Sequence, residues 1–269
     1  KYMIRKFLFL ILFSTISWVA NSQDLDKKKA IARITKLEST YGQIAQKIWG
    51  FAEVGYKEKQ SSILLQETLK QAGFTIEAGV ADIPTAFVAT FGQGKPVIGI
   101  MAEYDALPGL SQDTIPVKRS LGGNSGHACG HHLFGTGSVA AAIAVKDWMK
   151  ETGQKGTIKL YGCPAEEGGA GKVYMVRAGL FAQADVMDED SLKRAKDLIL
   201  QRFGKISGLV NAAGGNVPEA VLQPEADIFS LSMNGMKKAL DLNVWGTLLP
   251  TQIFGAELVK EETGSIVNI

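Results

Sequence analysis

The chain has 269 residues, 46% of them hydrophobic and 21% charged, with a formal net charge of +2. That length can bury a real core in one large domain or two modest ones, and the composition is ordinary for a soluble globular protein. The positive balance comes from Lys1, Arg5 and Lys6, and without that acid-free opening segment the net charge is about −1, which removes any electrostatic case for a nucleic-acid partner.

In chain order, the opening charges are followed by an apolar run from Phe7 to Val19 and then Ala20-Asn21-Ser22. That is the pattern of a secretory signal peptide over residues 1–22. The run is broken by Ser14, Thr15 and Ser17 and is too short to span a bilayer comfortably, so no stable membrane insertion is expected after cleavage. Lys1 and Tyr2 precede Met3, read as the start, and Gly264–Ile269 reads as a strand with no turn after it, as if cut there. From Leu25 to Phe51, Ile31, Ile34, Leu37, Tyr41, Ile44 and Ile48 recur at helical spacing. A second helix is predicted over Gln60–Ala72, stopped by Gly73, with short strands over 74–79 and 86–91. Pro96–Met101 reads as a buried strand, 109–126 as a loop, Leu133–Lys150 as a helix, Gly156–Tyr161 as a strand and Lys172–Ala178 as a short helix. The character changes near Asp185. Asp190–Phe203 is predicted as an amphipathic helix and Ile206–Val210 as a strand before a glycine turn at 211–215. Residues 223–259 read as mostly helical, with breaks at Pro224, Gly235, Gly246 and Pro250, before a last strand at 266–269. Alternating strands and helices imply an α/β fold with helices flanking a mostly parallel sheet.

All three histidines, His127, His131 and His132, lie in Gly126-His-Ala-Cys-Gly-His-His132, and both cysteines, Cys129 and Cys163, fall in or beside motif segments. In an extended segment residues i and i+2 share a side, so the Cys129 thiolate and the His131 imidazole can meet one ion. Sulfur and nitrogen donors suit zinc, and manganese or cobalt where oxygen dominates. Glu166 and Glu167, in Cys163-Pro-Ala-Glu-Glu-Gly168, are adjacent and diverge, so one can bind a metal while the other holds the attacking water. Each element also has a bland reading: a helix-capping turn around His127–Gly130, and a solvated acidic start to the helix at Lys172. Cys163 is read as a packing residue.

Glu103-Tyr-Asp-Ala-Leu-Pro-Gly109, Gly126-His-Ala-Cys-Gly-His131 and Cys163-Pro-Ala-Glu-Glu-Gly-Gly169 together resemble the M20 metallopeptidase family, in its amidohydrolase branch of aminobenzoyl-glutamate and N-acyl-amino-acid hydrolases, over about residues 24–182. The resemblance implies Cys129, His131 and Glu167 as ligands of a divalent metal (zinc or manganese), Glu166 as general base, and Asp105 supporting the site from its strand end. It implies a small N-acyl-amino-acid substrate whose amide is hydrolysed. His132 stands where such relatives carry Asp or Asn. The two further histidine ligands and the lid domain of that family have no counterpart here, so the two-metal centre is expected to be incomplete and activity impaired.

From about Asp185 onward the chain resembles the interior of a short-chain dehydrogenase/reductase. Asp185 matches the adenine-contacting position, Asn211, Ala212 and Gly214 the turn after the fourth strand, and Asn243 the helix asparagine, so NAD(P) is the cofactor of this alternative reading. The opening phosphate-binding glycine turn is absent, Gly168–Lys172 fitting neither the dinucleotide fingerprint nor a P-loop. The catalytic serine and Tyr-x-x-x-Lys pair would lie beyond Ile269. The domains expected are therefore a signal peptide over 1–22, a partial M20-type catalytic domain over 23–184 and a partial Rossmann-like segment over 185–269. A secreted or periplasmic hydrolase piece conflicts in compartment with a cytoplasmic reductase piece. That conflict points to a join near residues 180–187 produced in gene prediction or assembly. A third class, a non-catalytic secreted binding protein, predicts stable folding without metal or nucleotide.

Overall fold

The computed structural model describes residues 25–268, apart from 112, 182–183, 212, 216, 223–225 and 262–263. The expected signal segment and Ala212 lie outside the described residues. The chain divides into two compact units, Lys1–Ala178 and Gly179–Ile269.

In the first unit, residues 25–36 form α1, and after a turn at Leu37 comes α2 (Glu38–Phe51), which buries Ile44 and Ile48 one turn apart. Helix α3 (Lys59–Gln71) buries Leu65 and Leu69 at the same spacing. Its first free amides are satisfied from a distance: the Glu53 carboxylate accepts from Gln60 N at 3.0 Å and Ser61 N at 2.9 Å. Strands β1 (Thr75–Ala78), β2 (Phe87–Gln93) and β3 (Val97–Ala102) follow. A two-residue ribbon, β4 (Leu107–Pro108) with β5 (Ser125–Gly126), leads to α4 (His131–Thr152) and β6 (Gly156–Gly162). A single turn, α5 (Glu166–Gly169), and α6 (Gly171–Arg177) complete the unit.

The four main strands run in the order β1-β2-β6-β3. This sheet is mixed, which corrects the expectation of a mostly parallel one: β1–β2 and β2–β6 are antiparallel and only β3–β6 is parallel. The connections explain it. A short link over 79–86 can only return the chain antiparallel, whereas β3 and β6 are joined through α4, the long crossover a parallel pair needs. Because β6 enters between β2 and β3, β3 becomes an edge. The segment expected to be a buried strand therefore exposes Val97, Ile98 and Met101.

Inward-facing residues of the sheet alternate at period two, Phe87 and Ala89 on β2 and Ile158 and Leu160 on β6. They meet Ile48, Leu65, Leu69, Val139 and Ile143 from the three helices. Helix α4 lies close against the end of β3: Ser138 Oγ donates to Met101 O at 2.7 Å, and a methyl group added at Gly135 would run into the Glu103 carbonyl.

In the second unit Asp188 caps α7 (Glu189–Phe203) by accepting from Asp190 N and Ser191 N, and Gly204 ends it in a left-handed conformation. Strand β7 (Gly208–Asn211) pairs in parallel with β8 (Ser265–Asn268). Between them lie α8 (Met233–Leu240), a π-helical segment (Asp241–Trp245) and α9 (Gly246–Lys260). Gly235, Gly246 and Pro250, expected as breaks, sit inside this continuous helical path. Gly235 is where α8 comes against the Glu219 carbonyl, and Pro250 forfeits one hydrogen bond in the opening turns of α9. Leu192, Ala195, Ile206, Phe254 and Leu258 form a small core.

Gly135→Ala is expected to destabilise the first unit by about 2 kcal/mol, as overpacking between a helix and a backbone carbonyl does. Urea unfolding of the two proteins side by side checks this, and equal midpoints would refute the close approach.

Candidate metal centre

The parallel strands β3 and β6 end side by side at Ala102 and Gly162, and Cys163 N donates to Ala102 O at 2.8 Å across the two exits. The carboxyl ends of parallel strands are where open α/β sheets place ligands. Glu103 and Asp105 leave from β3. Glu166 and Glu167 leave from β6 through Ala165, which has a left-handed φ of 57°. The third contributor is the start of α4.

Cys129 and His131 do not meet through an extended segment, as residues two apart on a strand would. Cys129 lies on a bend, Gly130 has φ 95°, and His131 is the first residue of α4. A glycine in the left-handed region makes the reversal that strand alternation was expected to supply.

His131 is buried, and four carboxylates surround it. Its Nδ1 is 3.0 Å from Asp105 Oδ1 and 3.9 Å from Glu167 Oε1, while its Nε2 is 3.0 Å from Glu103 Oε2 and 3.8 Å from Glu166 Oε2. Burial works against the imidazolium, but hydrogen bonds to Asp105 and Glu103 outweigh it and lift its pKa to about 11. Burial likewise opposes ionisation of Asp105 and Glu103. Hydrogen bonds from His131 to both, from Glu167 N to Asp105, and from Lys172 to Glu103 nevertheless hold them below the usual carboxylate range. Lys172 pairs directly with Glu103.

Two donor sets share His131. Cys129, His131 and Glu167 bring their ligand atoms within 4.8 Å of one another, and so do Glu103, His131 and Glu166. Glu167 Oε1 is buried without a hydrogen-bond partner, as an oxygen reserved for a cation would be. Burial and the nearby Glu167 raise the Cys129 thiol, which is in the free form, as is Cys163. Cys163 is buried, and that burial pushes its thiol up to about 12, away from the ligand role. The His127 and His132 rings lie beside each other, tilted by 50° with centroids 4.9 Å apart, and His127 Nε2 contacts Ile48 O at 3.1 Å. Burial, then His132, lower the His127 pKa to about 4.

In the second unit Asp185 is exposed and closes its own turn, accepting from Met187 N at 2.8 Å. Asn211 is buried, its amide donating to Thr251 Oγ1 at 2.9 Å and Asn268 Oδ1 at 2.8 Å. Asn243 clamps the glycine turn, accepting from Gly215 N at 3.1 Å and donating to Gly215 O at 2.8 Å, with Gly214 against its side-chain oxygen. Ala212 is not described. The sequence motifs assign no role to Glu103, Lys172, Glu53 or Glu58. For Glu103 a signal existed, since it sits two residues from Asp105 at a strand end.

Residues 170–269 match the short chain dehydrogenase family. Over 147 residues, 54% of this chain, the sequence is 50% identical to a subunit of the p-aminobenzoyl-glutamate hydrolase of Escherichia coli, 31% of which is covered. It is also 32% identical over 166 residues to an oxidoreductase, UxuB, of Bacillus subtilis, covering 58% of this chain and 57% of that protein. A solved dinuclear metal binding peptidase from the M20 family of Bacillus subtilis aligns over 54% of this chain and 40% of its own, at 24% identity and a TM-score of 0.48. The chain thus spans about a third of the hydrolase relative and under two thirds of the oxidoreductase. The two-part resemblance read from the motifs holds: similarity to an M20-type hydrolase is joined to similarity to a short-chain dehydrogenase.

The raised pKa of His131 fixes the sign of a pH effect. The folded, metal-free protein keeps a proton up to about 11 that an unfolded histidine releases near 6.5. The resulting stabilisation is complete below about pH 6.5 and is lost progressively as the pH rises toward 11. Thermal melts in chelator are expected to show a midpoint that falls between neutral and strongly alkaline pH, with a shallower fall for His131→Gln. Parallel slopes in the two proteins would contradict it.

Proposed function

We propose that the first unit carries a divalent-metal site of amidohydrolase type, acting on the amide between an acyl or aroyl group and an amino acid. The observation that carries this reading is the meeting of Cys129, His131 and Glu167 donor atoms beside a buried Glu167 oxygen that has no hydrogen-bond partner. One imidazole serves both donor sets, and the resident ion is assigned to the thiolate-containing set because that set includes the orphaned oxygen. A sulfur, nitrogen and oxygen set suits zinc, with manganese as the alternative. The substrate class is supported by the identity to the aminobenzoyl-glutamate hydrolase relative.

When bound, the ion would supply Lewis acidity and lower the pKa of a water. The chain's own residues set up the rest. Asp105 holds His131 by Nδ1, so a ligand would take Nε2, which in the metal-free protein faces Glu103 Oε2 at 3.0 Å. Glu166, its side chain 43% exposed, is free to take a proton from the attacking water and pass it to the leaving amine. Glu103 is held between His131 and Lys172 and serves as a fixed anion. We further propose that activity is impaired, because no histidine of these 269 residues lies outside 127–132 to build a second ion site of the resembled family. Export through residues 1–22 belongs to the same proposal.

A second reading, an NAD(P)-dependent oxidoreductase fragment over the last third of the chain, is favoured by the family match there. Its site amides, Asn211 and Asn243, are already engaged within the protein.

The purified protein is expected to hold zinc or manganese and to release amino acid slowly from N-acyl or N-aroyl substrates. Glu166→Gln should lower turnover by about 100-fold with the metal retained, whereas Cys129→Ser and Glu167→Gln should lose metal. Full metal content in both ligand variants would sink the assignment. Saturable binding of NADH or NADPH by fluorescence would instead raise the oxidoreductase reading, and a flat titration would dispose of it.

A further inference from the structure

Glu58 lies just before α3 and is fully buried, although its partners are backbone amides and a hydroxyl rather than a cation. One carboxylate oxygen accepts from Ala165 N at 2.8 Å and the other from Thr85 Oγ1 at 3.0 Å. Its surroundings are equally fixed. Thr85 O accepts from the buried Tyr104 hydroxyl at 2.6 Å and from Ser62 Oγ at 2.7 Å. A buried carboxylate costs several kcal/mol unless its hydrogen bonds repay it, so the sequence keeps one here for what it holds.

What it holds is Ala165. This residue is fully buried in the left-handed region, at φ 57° and ψ 42°, which a side chain with a Cβ disfavours. Gly55 leaves the room it needs, since an added methyl there would lie 2.9 Å from Ala165 Cβ. The next two residues are Glu166 and Glu167. Without Glu58, the Ala165 N–H would be buried and unpaired at the very bend that aims both acids, and relaxing that bend would carry them away from His131.

We propose that Glu58 is a positioning residue for the metal-type centre, holding the Ala165 amide so that the left-handed turn presents Glu166 and Glu167 to Cys129 and His131. Only the link to the metal rests on the reading of the preceding subsection; the hold on the turn does not. Burial pushes the Glu58 carboxyl up against the pull of its hydrogen bonds, so its charge costs stability at neutral pH. Glu58→Gln keeps the shape and an acceptor for Ala165 without that charge.

Two measurements on the full chain test this. In the metal-free protein, amide hydrogen exchange at Ala165 is expected to be about tenfold faster in Glu58→Ala than in wild type and near wild type in Glu58→Gln. Leu69→Ala, which empties core space under the same helix, sets the level for a protein that is merely less stable. In the second measurement, cobalt(II) is titrated and followed by its thiolate absorption, and Glu58→Ala is expected to bind about tenfold more weakly, with rescue in Glu58→Gln. Exchange in Glu58→Ala no faster than in Leu69→Ala overturns the proposal. Fast exchange with unchanged cobalt affinity does so too, because the turn would then move without moving the ligands. If wild type itself binds no cobalt, the metal reading falls and the exchange result still decides whether Glu58 holds the turn. Should Glu58→Ala fail to fold, Glu58→Asp, which withdraws the acceptor, replaces it: faster exchange is expected and unchanged exchange refutes.

Discussion

Four carboxylates converge on one buried imidazole, and the first unit is organised around the electrostatic cost of that arrangement. Glu103, Asp105, Glu166 and Glu167 all lie within 4 Å of His131, with Lys172 as the additional base. Four acids against two bases leave two positive charges wanting, and like charges at these distances repel strongly away from water. A divalent cation that displaced the His131 and Cys129 protons would exchange two positive charges for two, so the deficit is a standing feature of the cluster. The fold must bring three separate chain segments to one point to create it. The parallel β3–β6 pair delivers the acids from adjacent strand ends. Gly135 lets α4 come close enough to deliver the imidazole.

The second unit is organised differently, by amides rather than charges. Asn211 ties β7 to β8 and to α9 through Asn268 and Thr251, and Asn243 closes on both sides of Gly215 from the π-helical segment. Each of these side chains satisfies backbone or side-chain partners that would otherwise lack them. The glycine turn is therefore shaped by the protein itself. A ligand arriving there would meet backbone rather than free side-chain amides.

Much of this was legible in the sequence, for local reasons. Helices α3, α4, α6 and α7 carry regular apolar spacing and glycine stops, and their boundaries fall within two residues of those expected. The motif residues cluster in space as they cluster in sequence, because two groups leave adjacent strand ends and the third opens α4 beside them. What was illegible is non-local. Nothing in Pro96–Met101 says that β6 will enter between β2 and β3 and make that apolar strand an edge. The spacing of Cys129 and His131 is compatible with a strand or a turn, and Gly130 decides it only once α4 begins one residue later. Glu58 and Lys172 look like ordinary surface charges until the chain returns more than a hundred residues later in one case and about seventy in the other.

The same charge logic explains how the metal-free site can exist at all. His131 holds its proton to about pH 11, and Cys129 remains a thiol because burial and Glu167 disfavour its thiolate. Protons thus stand where a cation would, on the nitrogen and sulfur donors themselves. An ion entering the Cys129, His131 and Glu167 set must displace both, since metals bind thiolate and neutral imidazole. Asp105 is the reason this exchange need not disturb the ring. Its carboxylate keeps Nδ1 whether the other nitrogen carries a proton or a ligand, so the imidazole changes its charge and not its place. Glu103, on the Nε2 side, is held through its other oxygen by Lys172, so its place does not depend on the His131 proton. On the proposed metal reading, an exchange of protons for an ion would leave Asp105 and Glu103 where the metal-free protein already holds them, so such a site could be filled after folding rather than during it.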